Sequence, residues 1–147
     1  MNRDSVFEQL KVDEGVVYGI YLDHLDYPTF GVGHLIKRED PEFGQRIGTP
    51  VSVNRVEQCF MQDLDTAISE CKILYDAWDD WPGEVQEILV NMMFNMGRPR
   101  LSQFKKMTAA LNSQDWKTAA FEGRDSRWYS QVHYRAERLM SRLENIA

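Results

Sequence analysis

The 147-residue chain is 43% hydrophobic and 12% aromatic, enough apolar material for a folded domain with a sizeable core and too much for a disordered one. Its net charge of −6 and the lack of a basic–aromatic motif argue against a nucleic-acid partner. No stretch approaches the roughly 20 apolar residues of a membrane span. No membrane insertion is expected, and the opening MNRDSVFEQLKVDEG lacks the apolar core of a secretory signal. The expectation is a chain made and kept in a cytoplasm.

The charge is uneven. Residues 1–100 hold eighteen acids and nine bases, whereas residues 101–147 hold five acids and eight bases. The C-terminal part is either ordinary solvated surface or a face turned toward something anionic. Cys59 and Cys71 fall twelve residues apart on one expected helix, which separates them by about 18 Å. That is too far for a disulfide, so two free thiols are expected, consistent with a reducing compartment.

In chain order, Ser5-Val-Phe-Glu8 fits a capping box and opens a helix with Val6, Phe7 and Leu10 on its apolar stripe. Gly15 stops it. Glu14 then sits at the negative end of the helix dipole, where a carboxylate charge is disfavoured. Val16 to Asp23 reads as a strand, His24-Leu-Asp26 as a turn, and Tyr27 to Val32 as the returning strand. Pro28 suggests that the returning strand is an edge. Gly31 and Gly33 leave room for another group to approach the backbone. Residues 37–48 read as a loop, and Thr49 to Val53 as a third short strand. A helix from Ser52 or Asn54 to about Leu74 carries Val56, Phe60, Leu64, Ala67 and Ile68 on one face. Pro82 is placed as the first residue of the next helix, EVQEILVNMMFNM, which ends at Gly97. It is apolar nearly all round and is the expected centre of a C-terminal lobe. Shorter helices are expected at about 101–112, 114–122 and 133–145.

Two carboxylates and a hydroxyl, Glu14, Asp23 and Thr29, converge if the hairpin folds back over the helix end. Such a set suits acid–base glycoside hydrolysis. His34 has no neighbouring Ser or Cys with an orienting acid to make it a nucleophile's base. A structural histidine paired to a carboxylate is the better reading. Asp76, Asp79 and Asp80 lack calcium-loop spacing and a closing Glu, so no metal and no cofactor are expected. Met92-Met-Phe-Asn-Met96 reads as core.

The ordered blocks Phe7-Glu-Gln-Leu, Asp13-Glu-Gly15, Ile20-Tyr, Asp23, Tyr27, Thr29 and Gly31-Val-Gly-His-Leu35 are followed by Gln62-Asp-Leu-Asp65 and Asn91-Met-Met-Phe-Asn-Met-Gly97. Phe104, Ser126-Arg-Trp-Tyr-Ser-Gln131 and Arg135-Ala136 complete the series. With these blocks the chain resembles a phage lysozyme of the T-even type, a muramidase of glycoside hydrolase family 24. The resemblance implies an α+β, mostly helical fold. About 1–53 would form a small lobe with a β-hairpin, about 54–74 a linking helix and about 75–147 a helical lobe, with the site in the cleft. It implies Glu14 as general acid, and Asp23 with Thr29 activating the attacking water. It places Arg135 beside Glu14 and makes His34 and Asp63 a buried structural pair. Leu35, Phe94 and Glu122 become groove residues, Glu122 standing where relatives carry Asn and Met107 where they carry a small polar residue. The region between His34 and the long helix is shorter than in familiar relatives.

The implied activity is inverting hydrolysis of the β-1,4 bond between N-acetylmuramic acid and N-acetylglucosamine in bacterial peptidoglycan, by a monomer, for lysis of a phage's host. Lacking a signal, the protein would wait in the host cytoplasm and reach the periplasmic wall through a holin-like pore. The alternatives are a catalytically weak wall-binding or virion module, and an enzyme acting on a related polysaccharide such as chitin.

Overall fold

The first helix starts earlier than its capping box suggests. In the computed structural model, which describes residues 1–147, α1 spans Arg3–Glu14. The Asn2 side chain accepts the Ser5 N–H at 3.1 Å, so Asn2 is the cap and Ser5 lies inside the first turn. At the other end Gly15 takes a positive φ of 74°, and its N–H donates to the Lys11 carbonyl at 2.9 Å. That closes the helix directly after Glu14.

The strands β1 (Val17–Leu22), β2 (Pro28–Gly31) and β3 (His34–Leu35) form one antiparallel sheet in the order β1-β2-β3. Two expectations are corrected here. The third strand is not Thr49–Val53. That stretch makes only an isolated bridge from Pro50 to Gly19, since Pro50 has no N–H for a ladder. The returning strand is also not an edge, because β2 is central. Pro28 is tolerated there because it is the strand's first residue, with its carbonyl accepting the Ile36 N–H at 3.0 Å. The turn falls where expected, with Asp26 at a φ of 65°, a conformation that Asp tolerates better than most residues.

The chain divides into two compact units, Phe7–Thr66 and Met1–Val6 with Ala67–Ala147. Helix α2 (Val53–Leu74) contributes to both. Its first turn is capped by Ser52, whose hydroxyl accepts the Arg55 N–H at 3.1 Å. In the first unit, α1 packs on α2 through stacked Phe7 and Phe60 rings, centroids 4.5 Å apart. Phe30, Leu10 and Leu64 are fully buried in this core.

In the second unit, α3 (Gly83–Met96) starts one residue after Pro82, which serves as its cap, and ends at Gly97. Val85, Ile88, Leu89, Val90 and Met92 on this helix have no exposed surface, as its all-round apolar sequence predicts. Around it stand α4 (Arg98–Leu101), α5 (Lys105–Asn112), α6 (Trp116–Arg124), α7 (Arg127–Gln131) and α8 (His133–Glu144). Gly123 lets α6 meet α8 closely: a Cβ there would collide with the Met140 sulfur, and the Met107 sulfur is next to it. Arg124 ties the same two helices by donating to both Glu137 and Glu144. The architecture is α+β and mostly helical, and none of its helices is long and apolar enough to cross a membrane. Cys59 and Cys71 are both free and buried. Burial pushes their thiols up to about 11 and about 12, which leaves them unreactive.

Candidate active site

Glu14 is held half-buried by the abrupt end of α1. Gly33, with a φ of 65°, turns the backbone between β2 and β3 directly under it. A Cβ on Gly33 would lie 3.7 Å from Glu14 Oε2. Gly31 meets a tighter limit, since a Cβ there would be 3.0 Å from a Val56 methyl. The two glycines therefore do different work. Gly33 brings the carboxylate to the sheet, and Gly31 lets α2 pack beneath it.

The hairpin supplies the other groups. Tyr21 pairs with Thr29 across β1 and β2, and Thr29 pairs with Leu35 across β2 and β3. Residues paired directly across antiparallel strands project from one face. Asp23 follows Tyr21 by two positions, opposite Tyr27, whose carbonyl accepts its N–H at 3.0 Å, and so shares that face. One Asp23 oxygen, Oδ1, accepts the backbone N–H groups of Leu25 at 2.8 Å and Tyr27 at 2.9 Å. These bonds fix the carboxylate through Oδ1. Thr29 is only 3% exposed, and its hydroxyl donates to the Tyr27 carbonyl at 2.8 Å. With its proton committed there, Thr29 Oγ1 offers lone pairs to a proton donor above it. The face thus holds an anchored carboxylate and an acceptor hydroxyl, with Glu14 at its rim. Proton donation and water activation are what such a set can perform.

His34 pairs with Phe30 on the opposite, buried face. Its Nδ1 bonds Asp63 at 2.7 Å and its Nε2 bonds Asp40 at 2.9 Å. Burial pulls the His34 pKa down, but the hydrogen bonds and charges of Asp63 and Asp40 outweigh it, and the net position is above the ordinary 6.5. The Asp63 partner was expected; Asp40 was not. Asp40 accepts the Lys37 N–H at 2.8 Å and meets Arg55 at 3.3 Å. Arg55 in turn grips Glu42 at 2.9 and 3.0 Å. This chain of charges pins the short 36–48 loop to α2, and no local sequence spacing announces it.

The remaining predicted residues lie in the helical unit. Arg135 donates to the Asn91 side chain at 2.9 Å and to its carbonyl at 3.3 Å, and the buried Asn91 is a support that the sequence reading missed. Phe94 is half-buried on α3. Glu122 lines a groove of about 470 Å³ with Phe104, Lys105, Lys106 and Asp125. Met107 also borders that groove but is itself only 1% exposed, so most of its surface fills the core. No cluster of His, Cys, Asp and Glu has the arrangement of a metal site.

Comparison with known proteins finds similarity over most of the chain. The family model described as phage lysozyme matches residues 11–144. The pre-baseplate central spike protein Gp5 of Enterobacteria phage T4 is 32% identical over 92% of this chain, which spans only 27% of that protein. A probable T4-type lysozyme of Dictyostelium discoideum is 28% identical over 95% of this chain and 94% of its own length. The peptidoglycan hydrolase gp36 of Pseudomonas phage phiKMV is 33% identical over 65% of this chain and 11% of its own length. With residues 11–144 of the 147 matched, this protein belongs to the phage lysozyme family.

Proposed function

We infer that the chain is an inverting muramidase that cleaves the β-1,4 bond between N-acetylmuramic acid and N-acetylglucosamine in peptidoglycan. Glu14 passes its proton to the leaving oxygen as the bond to the anomeric carbon breaks. A water attacks that carbon from the opposite face, and Asp23 takes the water's proton through Oδ2. Thr29 accepts a hydrogen bond from the water's second hydrogen, which stays on the new anomeric hydroxyl, and so fixes the water's orientation. Glu14 thus ends ionised and Asp23 protonated, and solvent exchange restores both. A general acid of this kind contributes about 10²- to 10⁴-fold to the rate.

The observation that carries the reading is Thr29. Its proton is committed to the carbonyl of Tyr27, the same residue whose N–H anchors Asp23, so its oxygen remains an acceptor, which supports a water-orienting role. The biological role that follows is lysis of a phage host by a monomer that is stored in the cytoplasm and gains the wall through a holin-dependent lesion. Proton NMR of the first products tests the chemistry. The α anomer should appear first, and Asp23→Asn should abolish turnover. A β anomer formed first would mean retention and refute the water-activation roles.

A second reading has one specific support, the 32% identity to the T4 central spike protein. On it, the domain acts on or binds the wall as part of a virion. Its presence in purified particles, against its presence only in lysates, separates the two.

A further inference from the structure

Tyr21 has no role in the steps above, yet its place in the sheet is specific. It pairs with Thr29, which pairs on its other side with Leu35. The three form one row across the reactive face, about 5 Å apart from strand to strand. Thr29 is the buried floor of that row, 3% exposed, while Leu35 rises beside it at 48% exposed, and Tyr21 is half-buried on the other flank. The row therefore sets a buried hydroxyl residue between two more exposed side chains with apolar surface, a pattern that suits the apolar side of a sugar ring.

The Tyr21 phenol is also near both acids. Burial raises its pKa above 10.0, and the charges of Asp23 and then Glu14 add to this. The phenol therefore keeps its proton at any physiological pH and remains a donor.

We propose that Tyr21 is a substrate-positioning residue that donates a hydrogen bond from its hydroxyl to the amino sugar lying over Thr29 and packs its ring against that sugar. The proposal rests on the glycan-hydrolase reading of the same face. A neutral hydrogen bond of this kind changes affinity by about 3- to 10-fold, and loss of the ring adds a further severalfold.

The test is calorimetric binding of a purified disaccharide–peptide dimer from peptidoglycan, measured in the Glu14→Gln background so that no cleavage occurs. Tyr21→Phe, which keeps the ring, should weaken binding about 3- to 10-fold, and Tyr21→Leu more than 10-fold, both with unchanged thermal midpoints. In the active enzyme the Phe variant should raise KM and leave kcat within about twofold. Binding by the parent that neither Tyr21 variant alters would overturn the proposal and leave the glycan reading standing. No binding by the parent would overturn both.

Discussion

Replacing His34 with Gln removes a cation that bridges two carboxylates, and its cost follows from the geometry. The imidazole is 7% exposed, and its partners Asp40 and Asp63 are 17% and 26% exposed. Two charge-assisted hydrogen bonds at 2.9 and 2.7 Å contribute roughly 1.5–3 kcal/mol each. Gln has nearly the same bulk but can restore only one neutral bond. Breaking a buried pair typically costs about 3–5 kcal/mol. Arg55 still faces Asp40 and water reaches Asp63, which places the loss near the lower end, at about 3 kcal/mol. With a urea slope of about 1.5 kcal/mol per molar, the midpoint should fall by about 2 M.

The loss should also depend on pH. The folded His34 pKa lies above 6.5, so its contribution is complete below the unfolded value and disappears as pH rises through the folded one. Asp40 is shifted the other way. Burial raises its pKa, but the Lys37 N–H, His34 and Arg55 together hold it below 3.8. Its contribution is therefore present above 3.8 and does not change across the range used here. Urea unfolding of wild type and His34→Gln at pH 6 and pH 9 should show the full difference at pH 6 and a smaller one at pH 9. A difference under about 1 kcal/mol at pH 6, or one that is equal at the two pH values, would refute the bridging account.

Two other predictions concern charge. Hydrogen bonds from Arg124, then Tyr129 and Ser141, hold the Glu137 carboxyl at about 2. Carbon-13 NMR titration should find Glu137 near 2 in wild type and moving toward 4.5 in Arg124→Met, and an unmoved value would show that Arg124 is not the cause. With a net charge of −6, the chain has little electrostatic steering toward an anionic wall, and salt should reduce its activity only mildly. A salt dependence as steep as that of a strongly basic lysozyme would count against this.

The hairpin was legible because its signals are local. Gly15 stops the helix after Glu14, His24-Leu-Asp26 turns the chain, and Gly31-Val-Gly33 marks close backbone approach. Each depends on neighbours within a few residues. What escaped depends on partners far along the chain. Pro28 looked like an edge marker, but the adjoining strand is only His34–Leu35, too short to leave a pattern. Thr49–Val53 has strand-like residues, yet Pro50 limits it to a single bridge. Asp40 sits in a polar loop like any exposed acid, and only the folded loop brings it to His34. Asn91 lay unnoticed in an apolar helix, where its side chain holds Arg135 from 44 residues away. Residue type was readable in every case, whereas the partner was not.

Glu14, on the reading above, supplies the proton for glycan cleavage. The most direct measurement is clearing of purified Gram-negative peptidoglycan by wild type and by Glu14→Gln, with analysis of the reducing ends released. Wild type alone should clear the wall and release new muramic acid reducing ends, with the Glu14→Gln rate lower by at least about 10². Equal clearing by both proteins, or wall binding by both with clearing by neither, would contradict it.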